Sequence, residues 1–255
     1  MGYGELTNED PTEDPYENSG SCTVTVTGGT IGTTGYPNDG YNNGFVFGSS
    51  KGTVFKTINL NPRYDYSRDF FLGYTNKTIV NIGDPDVATA PVIKGSVFGG
   101  GDNGHVRWHT YVNINKGEIG EAYVVPATYP EADSIVKWAY RGNVYGAGRG
   151  ADMYDSNGDG QPDSYCPSAG SVTLNTNVTV NGGTIHRNVY GGGSMATVGP
   201  PPTGYDPGNS KCTVNIYGGT IGEVVSSGAA AGSLYGGHVY GAGRGIIDQL
   251  APLTQ

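Results

Sequence analysis

Basic residues are scarce in this chain. Only 14 of its 255 residues are lysine or arginine, against 23 aspartates and glutamates, so the formal net charge is −9. A protein that binds nucleic acid neutralises phosphates with clustered lysine and arginine, whereas the basic residues here are scattered. The composition therefore argues against nucleic acid as a partner.

Long apolar runs and helical periodicity are also missing. No stretch of 18 apolar residues occurs, which predicts that the chain has no membrane span. The longest amphipathic candidate, EADSIVKWAYRG from Glu131, would make only about two helical turns. With 45 glycines and few charged residues, the composition is typical of a turn-rich, soluble chain.

Cysteine is rare as well, since Cys22, Cys166 and Cys212 are the only three. Cys22 and Cys212 hold the same place in the first and last copies of a repeated phrase. If the copies stack as strands, four steps of about 4.8 Å separate these two residues by roughly 19 Å. A disulfide needs Cα atoms within about 7 Å, so we expect free thiols. No two cysteines lie at a spacing that would bind a metal.

A phrase in two halves returns five times. Its first half alternates apolar and polar residues and ends in glycine, as in CTVTVTGGTIG from Cys22. Its second half reads GFVFGSS, GSVFGGG, GNVYGAG, RNVYGGG and GHVYGAG. The central valines of this half are Val46, Val97, Val144, Val189 and Val239, which are 51, 47, 45 and 50 residues apart. A nearly constant period of this size is typical of stacked repeats.

Apolar residues at every second position predict that the first half is a strand. Stacking of successive strands would align two columns of branched side chains. The first column is Val24, Val80, Val112, Val178 and Val214, and the second is Val26, Ile82, Ile114, Val180 and Ile216. Paired glycines then supply the positive φ of a corner, after which Ile31, Ile185 and Ile221 pack inward again. The predicted fold is all-β, a parallel β-solenoid (β-helix) of about five coils with long loop insertions.

The even spacing of the repeats predicts one solenoid domain over residues 21–250. Its repeats lie near 22–52, 78–105, 106–150, 171–199 and 211–245, and insertions are predicted near 52–77, 84–94, 121–141, 150–170 and 194–210. Residues 1–20 are acidic and rich in Pro and Asn, which predicts a disordered linker that is not a secretory signal. No capping element follows Gly245, so we expect a fragment of a longer repetitive protein with open ends that favour end-to-end self-association.

The most specific chemical motif is DSNGDGQPD at 155–163. Oxygen ligands at alternating positions, with glycine at position six, reproduce the first nine positions of a calcium loop. The predicted ligands are Asp155, Asn157, Asp159, the backbone carbonyl of Gln161, and Asp163. The motif resembles the calcium repeats of thrombospondin type 3 and dockerin modules, although Cys166 stands where an EF-hand has a bidentate glutamate. We expect a structural Ca²⁺ that fixes this insertion; the alternative is an Asx turn without an ion.

An aromatic residue follows each central valine. These residues are Phe47, Phe98, Tyr145, Tyr190 and Tyr240. Their opposite parity places them on the other face of the strand from the valines, where stacking would make one aromatic ladder. The favoured interpretation is a structural ladder beneath the insertions. The alternative is a set of ligand-facing aromatics, exposed as a platform for sugar rings.

The glycine-rich phrase after each aromatic residue carries a mixed column of side chains. Arg149 and Arg244 align there with Lys51, Asp102 and Ser194. Because the column mixes charges of both signs with a serine, it predicts a solvated turn and not an anion site.

Signs of catalysis are weak. A glycosidase needs two facing carboxylates, and no nucleophile elbow, zinc motif or triad signature is present. Asp102, His105 and His109 lie close in sequence, but the two histidines flank a strand start and indicate surface or core positions. We therefore expect no enzyme.

The phrases GGTIG and NVYGGG carry a resemblance to known proteins. Over residues 22–245 the chain resembles long secreted or surface-attached repeat proteins of gut Bacteroidales and, more broadly, bacterial parallel β-helix adhesins. The resemblance implies export, display at the cell surface or in the extracellular space, and adhesion to a surface glycan or an extracellular matrix component. The competing hypothesis is a carbohydrate-active β-helix enzyme, similar to a polysaccharide lyase or a glycosidase.

The calcium motif leads to a first test. Removal of Ca²⁺ with a chelator should lower the melting temperature and open residues 150–170 to protease, because an ion that binds only the native loop stabilises that state. Asp159→Ala should have the same effect without altering the strand content seen by circular dichroism. Melting curves that coincide with and without Ca²⁺ would contradict the calcium site.

Overall fold

The computed structural model describes residues 20–33, 43–52, 73–122, 141–150, 169–199, 210–224 and 234–245. In these ranges the backbone forms five successive coils, and each coil contributes one strand to each of three five-stranded sheets. The pairing of strands within these three sheets is parallel and joins equivalent residues of neighbouring coils. The predicted all-β parallel solenoid is therefore confirmed.

The strands of the first sheet are the longest, with five or six residues each. They are β1 (Ser21–Val26), β5 (Lys77–Ile82), β9 (Thr110–Ile114), β12 (Thr176–Val180) and β15 (Cys212–Ile216). The strands stack in chain order, as the repeat spacing predicts. This sheet is the widest wall of the solenoid.

The second and third sheets consist of two-residue strands. Those of the second are β2 (Thr30–Ile31), β6 (Val92–Ile93), β10 (Glu118–Ile119), β13 (Thr184–Ile185) and β16 (Thr220–Ile221). Those of the third are β3 (Val46–Phe47), β7 (Val97–Phe98), β11 (Val144–Tyr145), β14 (Val189–Tyr190) and β19 (Val239–Tyr240). Two shorter pairings flank the coils, one parallel between β4 (Tyr74–Thr75) and β8 (His105–Val106), and one antiparallel between β17 (Glu223–Val224) and β18 (Leu234–Tyr235).

The core fills the space between the three sheets. Both predicted columns of the first sheet are confirmed, since their members are register partners from coil to coil. The five central valines are likewise partners in the third sheet. In the three middle coils these branched side chains are fully buried and form one continuous cluster. Burial of such a cluster from water is the main stabilising term of the fold.

The second sheet corrects one sequence prediction. Residues 84–94 are predicted as an insertion, yet their last part is strand β6, whose Ile93 pairs with Ile31 and Ile119. The segment escapes notice because Pro91, Val92 and Ile93 stand where other repeats have the GGTI phrase. The backbone nevertheless completes the ladder, with the Val92 amide donating to the carbonyl of Gly29 at 2.9 Å.

A hydrogen bond from a threonine hydroxyl links the first and third sheets inside each middle coil. The first-sheet threonine donates a hydrogen bond to the carbonyl of the glycine that follows the third strand. The pairs are Thr78 with Gly99, Thr110 with Gly146, and Thr176 with Gly191. In the first and last coils Cys22 and Cys212 replace this threonine, and both thiols are free. The hydroxyls satisfy carbonyls that would otherwise be buried without a partner.

Glycine is required where coils approach most closely. A Cβ atom on Gly146 would lie 2.1 Å from the carbonyl oxygen of Gly191 in the next coil, so any other residue would separate the two coils. At the predicted corners the second glycine of each pair has the expected positive φ, which is 79° at Gly29 and 88° at Gly183.

Several sequence predictions lie outside the described residues. These are the calcium ligands Asp155, Asn157, Asp159, Gln161 and Asp163, the linker up to residue 19, Cys166 and most of the predicted insertions. The parts of the chain that the structure describes contain no helix able to cross a membrane.

The core leads to a second prediction. Val112→Asp should lower the free energy of unfolding by at least about 3 kcal/mol, because it buries an unpaired charge between two coils. Asn177→Asp is a suitable control, since Asn177 is half-buried on the outer side of the neighbouring strand. Urea unfolding followed by circular dichroism measures both. Equal stability of Val112→Asp and wild type would show that this column does not face the core.

Candidate functional site

The five aromatic residues predicted as a ladder form one continuous stack. Adjacent ring centroids lie 4.7 to 4.8 Å apart, and the ring planes are within 14° of parallel. Each coil therefore places one ring directly on the next, at the spacing of the strands that carry them. Offset stacking of this kind adds to the free energy that burial of the rings contributes.

Stacking leaves little ring surface for a ligand. The faces of the middle rings, Phe98, Tyr145 and Tyr190, cover one another, and all three side chains are buried. A platform of five exposed ring faces is therefore not what this geometry provides. Only Phe47 and Tyr240, at the two ends of the stack, leave a face without an aromatic neighbour in the ladder.

The hydroxyls of Tyr145 and Tyr190 in the stack are neutral groups. Burial raises the pKa of Tyr145, and the nearby Arg244 guanidinium, whose Nη1 donates to the hydroxyl at 3.3 Å, offsets part of that rise. Burial and the neighbouring Tyr145 also raise the pKa of Tyr190. These hydroxyls are therefore poor candidates for a general base.

The mixed column beside the stack is exposed at Lys51 but mostly buried from Asp102 to Ser194. Its members are bridge partners as aligned, from Lys51 through Asp102, Arg149 and Ser194 to Arg244. Both Nε and Nη2 of Arg149 lie 2.9 Å from Oδ1 of Asp102, and both side chains are mostly buried. The Arg149 guanidinium also lies 5.0 Å from the ring centroid of Phe45. The glycine-rich turns let this ion pair pack against the aromatic residues. The prediction of a solvated turn is therefore wrong for Asp102, Arg149 and Ser194, whereas Lys51 is exposed.

A second charged group lies at the corner after the second sheet. We call it the corner cluster; it consists of Glu118, Glu121, His186, Arg187 and Glu223. These residues flank the inward isoleucines of coils three, four and five, so in-register stacking brings them together. Three carboxylates thus meet one imidazole and one guanidinium group across three coils.

His186 lies between two carboxylates of the corner cluster. Its Nδ1 is 2.7 Å from Oε2 of Glu223, and its Nε2 is 2.7 Å from Oε1 of Glu118. Burial alone would lower the pKa of His186, but the hydrogen bonds and charges of Glu223 and Glu118 outweigh it and raise the pKa above the usual 6.5. An imidazole that donates from both nitrogens is the charged imidazolium. The protonated form therefore fits this site.

Arg187 forms the buried part of the corner cluster. Its side chain is 1% exposed, its Nη1 donates to Oε1 of Glu223, and its Nη2 donates to the backbone carbonyl of Glu121 at 3.3 Å. The Glu121 carboxylate in turn lies 3.1 Å from Nζ of Lys94 and 3.6 Å from Nη2 of Arg141. Each buried charge thus faces at least one opposite charge, as burial requires.

Sequence analysis missed the corner cluster, although a signal was present. The first-half phrases read GGTIG in two coils, but KGEIG at Glu118 and GGTIH at His186. These departures from the common phrase fall at neighbouring repeat positions in adjacent coils. An ionisable residue that breaks a repeat next to another such residue predicts a contact once the coils are stacked.

The other candidates for catalysis do not form a common site. His105 Nδ1 lies 3.1 Å from Oγ of Ser171, whereas His109 Nδ1 accepts a hydrogen bond from the Asn175 amide at 3.3 Å. Asp102 is paired with Arg149. Within the described ranges, no group of three or more His, Cys, Asp or Glu side chains is arranged to hold a metal ion.

Comparisons of the chain with protein family models, with curated proteins and with solved structures found no match.

The corner cluster leads to a third prediction. A histidine with a raised pKa in the folded state contributes stability that is fully present below about pH 6.5 and is lost as the pH rises through the folded-state value. His186→Gln should therefore cost most stability near pH 6 and progressively less at higher pH. Urea unfolding between pH 6 and pH 9 measures the difference. The exposed His238, replaced by Gln, is the control; a cost of His186→Gln that is constant with pH would contradict the charged imidazolium.

Proposed function

We propose that the chain is a non-catalytic extracellular module, structural or adhesive, that is displayed at a cell surface or in the matrix around it. The observation that supports this proposal is the uninterrupted stacking of all three sheets and of the aromatic ladder over five coils. In repeat proteins each unit contacts only its neighbours, and the stack presents an extended surface from which insertions project.

The use of the charged side chains also favours a module without catalysis. Catalytic carboxylates need access to a substrate, whereas Asp102 and Glu121 are held in ion pairs inside the stack. Glu118 and Glu223 are the best-placed pair of carboxylates among the described residues. The imidazole of His186 fills the gap between them, where a glycosidic bond would have to lie.

The ligand that fits this proposal is a surface glycan or an extracellular matrix component. Insertions of a repeat protein often carry its binding function, and the predicted insertion at 52–77 contains the aromatic and charged segment NPRYDYSRDFFLGY. A Ca²⁺ bound at 155–163 would suit an environment outside the cell, where this ion reaches millimolar concentration. The proposal is therefore a surface-displayed module in which Ca²⁺ stabilises one insertion and another insertion recognises the ligand.

The competing proposal is a carbohydrate-active β-helix enzyme that resembles a polysaccharide lyase or a glycosidase. It would use Glu118 and Glu223 after a shift of His186. The two proposals differ in the mass of the glycan after binding, since a binding module leaves its ligand intact and an enzyme shortens it.

A glycan array combined with a panel of matrix proteins forms the fourth test. We expect retention of a subset of glycans or matrix proteins, followed by recovery of the bound glycans at their original mass. Replacement of Phe70 and Phe71 by Ala in the 52–77 insertion should weaken binding at least about tenfold if each ring contacts a sugar, since stacked aromatic contacts contribute about 1 kcal/mol each. Shortened or unsaturated products, lost in Glu118→Gln and kept in His238→Gln, would establish the enzyme instead.

A further inference from the structure

The last coil leaves an apolar surface open. Ile216 is 41% exposed, Val239 47% and Tyr240 43%, although the equivalent residues of the middle coils are buried. These side chains occupy inward or stacked positions, and no further coil among the described residues lies on them. The edge strand β15 has a described neighbour, β12, on one side only.

The first coil presents the opposite edge. Cys22 and Thr23 of β1 are exposed, and the inward residues Val24 and Val26 are only half-buried. The third side of this coil differs, since Val46 is 5% exposed and hence already covered. Within the described residues, the first and second sheets therefore have no strand beyond the first or the last coil, and the third sheet is uncovered at the last coil.

The two open edges match each other in sequence. The first coil reads CTVTVTGGTIG from Cys22, and the last coil reads CTVNIYGGTIG from Cys212, so eight of these eleven positions are identical. Neither phrase contains a charged residue, and no like charges would meet along these strands. Elsewhere in the junction two like charges, Lys51 and Arg244, would align. The Arg244 side chain, however, donates a hydrogen bond to the Tyr145 hydroxyl, two coils back from the edge.

We propose that the chain assembles head to tail, with β15 of one copy pairing in parallel with β1 of a second copy. Extension of the observed register predicts these pairs between the two copies: Cys212 with Cys22, Thr213 with Thr23, Val214 with Val24, Asn215 with Thr25, Ile216 with Val26, and Ile221 with Ile31. A second copy fits the exposed edge because it supplies inward branched residues at alternate positions, then the glycine corner and then isoleucine. A contact between unlike ends repeats without closing and therefore produces open chains of copies.

Cys22 and Cys212 support a second copy as the partner, and they provide a direct probe of the contact between copies. The three middle coils have threonine at their position, whereas both edge coils have a free thiol. Neighbouring parallel strands are about 4.8 Å apart, which lies within the Cα separation of disulfides, about 4.4–6.8 Å. Within one copy the same residues are four coils apart. A disulfide between Cys22 and Cys212 can therefore form only between copies.

The proposal goes beyond the adhesive function, because it rests on the edges of the solenoid and needs no glycan or matrix ligand. Its experiment is sedimentation velocity of the full chain over a range of concentrations, with a reducing agent and without ligand. Wild type should form species that grow with concentration. Failure of glycan binding would leave this result unchanged, so the two proposals can fail independently.

Charge at the inward edge positions tests the orientation of the contact. Val24→Lys blocks the first coil and Ile216→Lys blocks the last coil, and each lysine can still reach solvent from its open edge. Each variant alone should be monomeric, whereas an equimolar mixture should form dimers and nothing larger, because one intact junction remains. Thr213→Lys, on the outer side of β15, should assemble like wild type. Circular dichroism verifies that every variant keeps its strand content.

Oxidation of the wild-type chain without reducing agent tests the register. Oxidised glutathione accepts the two electrons and two protons released when the Cys22 and Cys212 thiols join, and it becomes two molecules of glutathione. We expect a covalent ladder of dimers, trimers and longer species, with the Cys22–Cys212 peptide identified by mass spectrometry. In a Cys166→Ser background, Cys22→Ser and Cys212→Ser should each abolish the ladder, while self-association persists in sedimentation.

Three outcomes would overturn the proposal. The first is a wild-type chain that stays monomeric at every concentration. The second is loss of association in Ile216→Lys but not in Val24→Lys, which would indicate that two last coils face each other. The third is a disulfide that joins Cys22 to Cys22 or Cys212 to Cys212 with no mixed species.

Discussion

The register of the whole fold depends on the hydrogen bonds that run along the solenoid, from each coil to the next. The Val97 amide donates to the Asn143 carbonyl at 2.9 Å, and the Val144 amide donates to the Asn188 carbonyl at 3.0 Å. Because such bonds recur in all three sheets, equivalent residues of every coil are held one strand spacing apart. The valine columns, the aromatic stack and the corner cluster all follow from this register. Glycines such as Gly146 make this register possible, because a side chain at the closest approaches would force the coils apart.

Much of this architecture could be predicted from the sequence, because the repeat is nearly constant where the coils contact each other. The alternation around Val24 and the phrase around Val46 recur in all five copies, so the first and third sheets could be predicted. Strand β6 could not be predicted, because Val92 and Ile93 follow a proline and lack the glycine pair of other corners. A two-residue strand has too little periodicity to be recognised without its phrase.

The candidate site was harder to predict than the fold. Stacking places Glu118, His186 and Glu223 together, but they are 37 to 105 residues apart in the chain and share no motif. The pairing of Asp102 with Arg149 was hidden for a different reason. Comparison of the repeats identified the column correctly, but it gives no information about burial, and the mixture of opposite charges with a serine suggested a solvated turn. The aromatic ladder could be placed in sequence, whereas the orientation of its rings follows only from their 4.8 Å spacing.

Native-state hydrogen exchange measured by NMR tests most directly whether the fold depends on this register between coils. If the hydrogen bonds between coils keep all coils in one register, the amides of β5, β9 and β12 should exchange only through global unfolding and with one common free energy. Amides of β1 and β15 should exchange faster in the monomer, because each strand has one neighbour in the first sheet. If the amides of β9 exchanged as fast as those of β1, or independently of β5 and β12, the coils would not form one cooperative stack.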